Sequence, residues 1–337
     1  MRDSEKMNSK NPLTPEGEIE DHLKEISGQE QLYSIALFDI LGFSNFVQKN
    51  GTQVILDLYN RLLDIIHEQE STTDGKASFA GSVVPIPISP DWKTNALIAD
   101  ANGFVRVCHF SDTFIIYVNY LLNKKGWWLA DTKHEPYPLL LGERGTKYSP
   151  LIYQKHNIYL SFLQTCMEFF CQSIVAGIPL RGCVATGFAV MDSYKSIYLG
   201  NPLVEAARGE AAQDALGIAF GRSFNNYHPV YNDYFIPYLG HYKKNESKTE
   251  FLSPMVLDWP RYWRKSPDYR KYSISEYITK MNIDPGYSKY YSNAIKFSEF
   301  SAGNESWSSE ICRDGIQDII DYNSKVEEWY KLAVNKY

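Results

Sequence analysis

The stretch Phe38-Asp39-Ile40-Leu41-Gly42-Phe43-Ser44 decides how this 337-residue chain is read, because it puts an acid where a strand ends. The preceding Tyr33-Ser34-Ile35-Ala36-Leu37 has the make-up of a buried strand, and Asn45-Phe46-Val47 opens a helical pattern that runs on to Leu62-Leu63-Asp64-Ile65-Ile66. A carboxylate followed by a glycine turn and a helix start can hold a divalent cation, while the main-chain N–H groups around Gly42, Phe43 and Ser44 receive phosphate oxygens. Taken alone, Asp39 can equally well cap the helix that follows it.

A second acid sharpens the reading. Phe104-Val105-Arg106-Val107-Cys108-His109-Phe110-Ser111-Asp112 runs straight into Thr113-Phe114-Ile115-Ile116-Tyr117-Val118, which predicts a hairpin turning near Ser111 and Asp112. Two hard oxygen donors about seventy residues apart suit a two-cation site once their strands lie side by side. A third block, Leu180-Arg181-Gly182-Cys183-Val184-Ala185-Thr186-Gly187, is followed by Tyr198-Leu199-Gly200-Asn201-Pro202-Leu203-Val204-Glu205-Ala206-Ala207-Arg208.

In this order, the blocks resemble the catalytic domain of class III nucleotidyl cyclases, whose pattern is FxDIxGF, a Gly-Asp hairpin, RxGxxxG and GxxVNxAxR. The match covers roughly residues 30 to 225, and the joint occurrence is far more specific than any one block. The aromatic-rich tail with Leu257-Asp258-Trp259-Pro260 and the altered base-recognition positions look most like the pyrimidine cyclases of bacterial Pycsar anti-phage systems. The resemblance implies a reaction in which the 3′-hydroxyl of a nucleoside triphosphate attacks its own α-phosphorus, giving a 3′,5′-cyclic monophosphate and pyrophosphate. It implies two divalent cations, Mn²⁺ or Mg²⁺, with Asp39, Asp112 and the carbonyl of Ile40 as ligands, and Arg208 on the α-phosphate. A surface salt bridge is the plainer reading of Arg208.

Two departures matter. The family's asparagine is Val204 here, which cannot hydrogen-bond through its side chain, so Asn201 or Glu205 must replace it or turnover suffers. The positions that read a purine edge are Cys108 and Ile197, which disfavours adenylate and guanylate chemistry. Strand alternation puts Arg106 and Cys108 on the face of Asp112 and His109 on the other; Arg106 either donates to a pyrimidine carbonyl or is an ordinary edge-strand arginine. The expected substrate is UTP, then CTP, then ATP, and a silent nucleotide-binding regulatory module is the reading from a different class. The family also implies a homodimer with sites at the seam, and the Pycsar likeness a separate cyclic-nucleotide-binding effector in anti-phage defence.

A net charge of −6 speaks against a nucleic-acid polymer as partner, and five cysteines without a CxxC pair suit a reducing cytoplasm. The polar segment 1–29 has no apolar core of a signal peptide and is expected to be flexible. Ile158 to Leu180 is long enough to cross a membrane, but Ser161, Gln164, Glu168 and Gln172 form one polar stripe, so it is read as a helix packed on a sheet.

The expected order is strand 33–38, helix 45–68, hairpin 103–120, helix 157–176, strand 180–190, strand 196–199 and helix 202–215. That order predicts an α+β fold, a ferredoxin-like cyclase core over residues 30–225 with helices on one face of its sheet. Segments 71–100 and 121–156 are surface insertions, and 226–337 is a C-terminal extension completing the same domain, with a helical pattern at 314–333. Arg261, Arg264 and Lys265 are read as a solvated aromatic surface rather than a triphosphate contact.

Overall fold

β1 (Gln31–Ile40) is buried along nearly its whole length, so both of its faces must be covered. That places it inside a sheet rather than at an edge. A computed structural model describes residues 28, 30–49, 51–75, 105–119, 140–141, 147–148, 150–225, 234–243, 252–281 and 285–305. The N-terminal segment to 27, most of both insertions and the 314–333 pattern lie outside the described residues.

After β1 come helices α1 (Phe43–Lys49) and α2 (Thr52–Gly75), and then the hairpin β2 (Arg106–Phe110) and β3 (Thr113–Asn119). The short pair β4 (Leu140–Leu141) and β5 (Lys147–Tyr148) forms its own two-stranded sheet before α3 (Pro150–Val175) leads into β6 (Leu180–Asp192). In space the strands run β2-β3-β1-β6 with antiparallel neighbours throughout. This is the ferredoxin-like βαββαβ arrangement that the sequence pattern predicts.

β7 (Ile197–Gly200) folds back on the distal part of β6, and α4 (Asn201–Ala211) returns the chain to β8 (Gly217–Gly221), parallel to β6. β9 (Phe235–Pro237) and β10 (Leu252–Leu257) extend the same sheet beyond β8. Helices α5 (Trp259–Lys265), α6 (Ile274–Lys280) and α7 (Ser288–Gly303) follow.

Register divides the sheet into two faces. Phe38 lies opposite Gly182 and Phe114, and its ring meets Phe169 of α3 edge-on at 5.1 Å. With Phe162, Cys166, Phe170, Leu58 and Leu62, these residues form the main core under α2 and α3. Gly182 is required here, since a Cβ would stand 2.5 Å from the Phe38 ring. The polar stripe of α3 behaves as the sequence reading expects: Glu168 accepts from Tyr262 at 2.5 Å and from Tyr269, fastening the C-terminal elements to the helix. No helix among the described residues is long and apolar enough to cross a membrane.

Several expectations need correction. The helix expected over 45–68 is two helices, and the one expected to begin at 157 starts at Pro150, inside the supposed insertion. The last core helix stops at Ala211, because Ala212 to Leu216 turn back to start β8. The helices do not all share one face: α4 covers the other, where its Glu210 meets Arg181 and its Pro202 packs on Gly187. Arg261 is interior rather than solvated; at 1% exposure its Nε lies 3.0 Å from Asp258 Oδ2, which also accepts from Ser301 through its other oxygen.

Candidate functional site

The acids meet because of where β1 ends. Asp39 is opposite Thr113 on one side and Arg181 on the other, and the hairpin turn preceding Thr113 carries Asp112. The Ile40 N–H donates to the Asp112 carbonyl at 3.3 Å, which ties the strand end to the turn. Ser111 takes φ 53° at the first of the two turn residues, the sign a tight hairpin favours there. Gly42, with φ 77°, then swings the chain into α1, where Phe43 packs against the core and Ser44 is exposed.

Asp39 is raised from 3.8 to about 6, first by burial, then by the Asp112 charge, while Arg181 pulls the other way. Negative charge at the strand end is thus under-compensated, a state that a cation relieves. Among the described residues no cluster of three His, Cys, Asp or Glu side chains is placed for a metal. Two carboxylates brought to one strand end are nonetheless the hard oxygen donors that a divalent cation takes, with water completing its shell.

Arg181, quoted above within its motif but given no role by the sequence reading, is the hub of this site. Its guanidinium is 3.7 Å from Asp39 Oδ2, ion-paired with Glu210 and 5.3 Å from the centre of the Tyr290 ring. Burial is the largest influence on Glu210 and lifts it to about 7, outweighing the arginine beside it. Glu210 escaped the sequence reading because its sheet-facing position depends on how α4 lies, and Tyr290 because it belongs to the unassigned tail.

The strand carrying Arg106 is the edge of the sheet, and its register puts Arg106, Cys108 and Phe110 opposite Tyr117, Ile115 and Thr113 on the site face. His109 is on the other face, packed against Tyr59 and Phe114 at ring distances of 5.7 and 6.1 Å. Ile197 is not the partner of Cys108. β7 pairs Tyr198 with Met191, and the Tyr198 side chain turns to the site face, hydrogen-bonds Cys108 and meets the Phe110 ring at 5.2 Å. Burial first, then Cys108, raises the Tyr198 hydroxyl to about 12, so it stays a neutral donor.

Arg208 is exposed in the last turn of α4, on the same outer side as Val204 four residues earlier. Glu205 does not take the place of the missing asparagine, because its Oε1 accepts from the Ser223 N–H at 2.7 Å; Asn201 is exposed at the helix start. The structure therefore brings Asp39, Ile40 and Asp112 together, while Arg208 projects from the far side of the helix that covers their face.

Among solved structures, the chain is similar to a bacterial light-regulated adenylyl cyclase, at 14% identity and TM-score 0.34, over 68% of this chain and 88% of that one. It is also similar to the guanylyl cyclase Cya2, at 9% identity and TM-score 0.31, over 62% of this chain and 85% of that one. No family model and no curated protein matches the sequence.

Proposed function

We propose that this chain is a nucleotidyl cyclase that converts a pyrimidine nucleoside triphosphate, UTP first, to its 3′,5′-cyclic monophosphate. The bond from O3′ to the α-phosphorus forms, the bond from that phosphorus to the bridging oxygen breaks, and pyrophosphate leaves as the hydroxyl proton is lost. The observation that carries this reading is the meeting of Asp39 and Asp112 at the strand end, on the face that also bears Arg106, Cys108 and Tyr198.

Two divalent cations held by Asp39, Asp112 and the Ile40 carbonyl would acidify the hydroxyl and neutralise the triphosphate. Arg106, Cys108 and Tyr198 surround the place for the base. A guanidinium has only donors and suits the two carbonyls of uracil better than cytosine, whose exocyclic amine is itself a donor. CTP is the next substrate in line and ATP the one after.

The working unit in this reading is a head-to-tail homodimer, with the acids of one protomer and Arg208 of the other completing each site. The outward position of Arg208 supports it, as do the exposed Tyr194, Ile197, Leu199 and Val204 along the β6–β7 hairpin and the start of α4. The cyclic product then serves as a messenger in anti-phage defence, read by a separate binding protein in the cytoplasm. Asp39→Asn and Asp112→Asn each keep side-chain size and remove charge, so each is expected to abolish cyclisation in a folded protein. Undiminished turnover in either variant overturns the reading.

One observation favours a second reading. Val204 is half exposed where the family pattern has asparagine, and Glu205 is committed elsewhere, which suits a silent nucleotide-binding module that regulates a partner. Binding of triphosphate and Mn²⁺ without any cyclic product would mark that outcome.

A further inference from the structure

The C-terminal elements approach the end of β1 at two points, the Gly42 turn and Arg181. The Tyr287 ring lies against the Gly42 turn, 2.8 Å from where a Cβ would stand, and the next turn of chain puts the Tyr290 ring beside Arg181. This first turn of α7 is clamped: the Leu216 N–H donates to the Tyr290 carbonyl at 3.4 Å, Asn293 Nδ2 donates to the Asp214 carbonyl at 2.8 Å, and Lys289 pairs with the Asp214 carboxylate. Arg181, 9% exposed, therefore sits between Glu210 and an immobilised aromatic face, with Asp39 as a third and more distant partner.

A guanidinium is a permanent cation and cannot be removed from this balance by deprotonation. Of its two carboxylate partners, Glu210 is in direct contact, while Asp39 is 3.7 Å away. Were Glu210 neutral, Asp39 would be the strongest remaining anion in reach, and a closer pair with Arg181 would occupy the oxygen that a metal ion needs. Loss of the Tyr290 ring would free the guanidinium in the same direction.

We infer that Arg181 is a positioning residue for Asp39, restrained by Glu210 and by Tyr290 of the C-terminal extension, so that the extension sets the affinity of the acids for divalent cations. The inference rests on the proposed metal role of Asp39. It gives the tail a function within the site and explains why a buried carboxylate on α4 stands opposite the motif arginine.

The test is titration of the full-length protein with Mn²⁺ alone, free ion being read by electron paramagnetic resonance, with a melting curve for each variant. Glu210→Gln is expected to weaken Mn²⁺ binding roughly tenfold, the low end of what outer-shell partners of a metal site contribute. Tyr290→Leu is expected to weaken it about threefold, as suits loss of the ring that both Arg181 and, at 5.9 Å, Lys243 face. The double variant Arg181→Met with Glu210→Gln, which removes captor and captive together, is expected to return to within about threefold of wild type. Wild-type affinity in Glu210→Gln overturns the inference. So does a loss that the double variant does not recover, since a merely structural role for Glu210 predicts no rescue. Asp39→Asn separates the two levels: retained Mn²⁺ binding there removes the metal reading itself, whereas loss there with an unaffected Glu210→Gln removes the restraint alone.

Discussion

Tyr198 and Ile197 are neighbours in sequence with opposite fates, and the difference is a single step of strand alternation. The motif spacing points to Ile197 as the base-facing position, but β7 pairs with β6 in a register that turns Tyr198 toward Cys108 and leaves Ile197 41% exposed. Tyr198→Phe is therefore expected to lower kcat/KM for UTP about tenfold or more, the cost of an unpaired polar edge at a recognition site. Ile197→Ala is expected to stay within about twofold of wild type. Steady-state kinetics on both variants decides, and a larger loss in Ile197→Ala would return base recognition to the motif position. The strand end, hairpin turn and helix start that carry Asp39 and Asp112, by contrast, were legible from sequence, because these are local patterns. Arg181 was visible as a motif letter, yet its partners Glu210 and Tyr290 come from elements that only the folded chain brings near.

At the scale of elements, the ferredoxin-like order was readable because each strand and helix carries its own periodicity. The side chosen by α4 was not, since both faces of β1 and β6 are apolar and the sequence does not say which helix covers which. The tail defeated pattern reading for a different reason: its tyrosines look polar in sequence, yet Tyr238, Tyr269 and Tyr291 serve as core and Tyr262 and Tyr290 pack against it. His241 belongs to this tail, buried between the Tyr238 and Tyr242 rings, and burial lowers it from 6.5 to about 3. The unfolded chain then binds a proton that the folded chain refuses, so this stability is full above about pH 6.5 and is lost as pH falls toward 3. Asp39 and Glu210 act oppositely: their raised values make the folded chain hold protons longer, so stability declines as pH rises through about 6 and 7. His241→Phe keeps an aromatic ring and removes the titration. Its free energy of unfolding, measured from pH 7 to pH 4, is expected to fall less than that of wild type, by up to about 1.4 kcal/mol per pH unit. Parallel curves for the two proteins would show that His241 is not protonated on unfolding.

At the scale of the whole molecule, the separation of Arg208 from the acids becomes an assembly question. The side of α4 that bears Arg208 and Val204 faces outward, and the proposed head-to-tail dimer requires that it meet the partner's acids. Mixing Asp39→Asn with Arg208→Ala protein, after demonstrated subunit exchange, is expected to recover about a quarter of wild-type turnover, since half the dimers are mixed and each has one intact site of two. No recovery would place the whole site within one chain. The proposed function stands on the identity of the product. Purified protein given equal concentrations of UTP, CTP, ATP and GTP with Mn²⁺ is predicted to yield 3′,5′-cyclic UMP as the dominant species by mass spectrometry, with pyrophosphate in equal amount. A dominant cyclic purine nucleotide would contradict the pyrimidine assignment, and the absence of any cyclic nucleotide would contradict the enzyme itself.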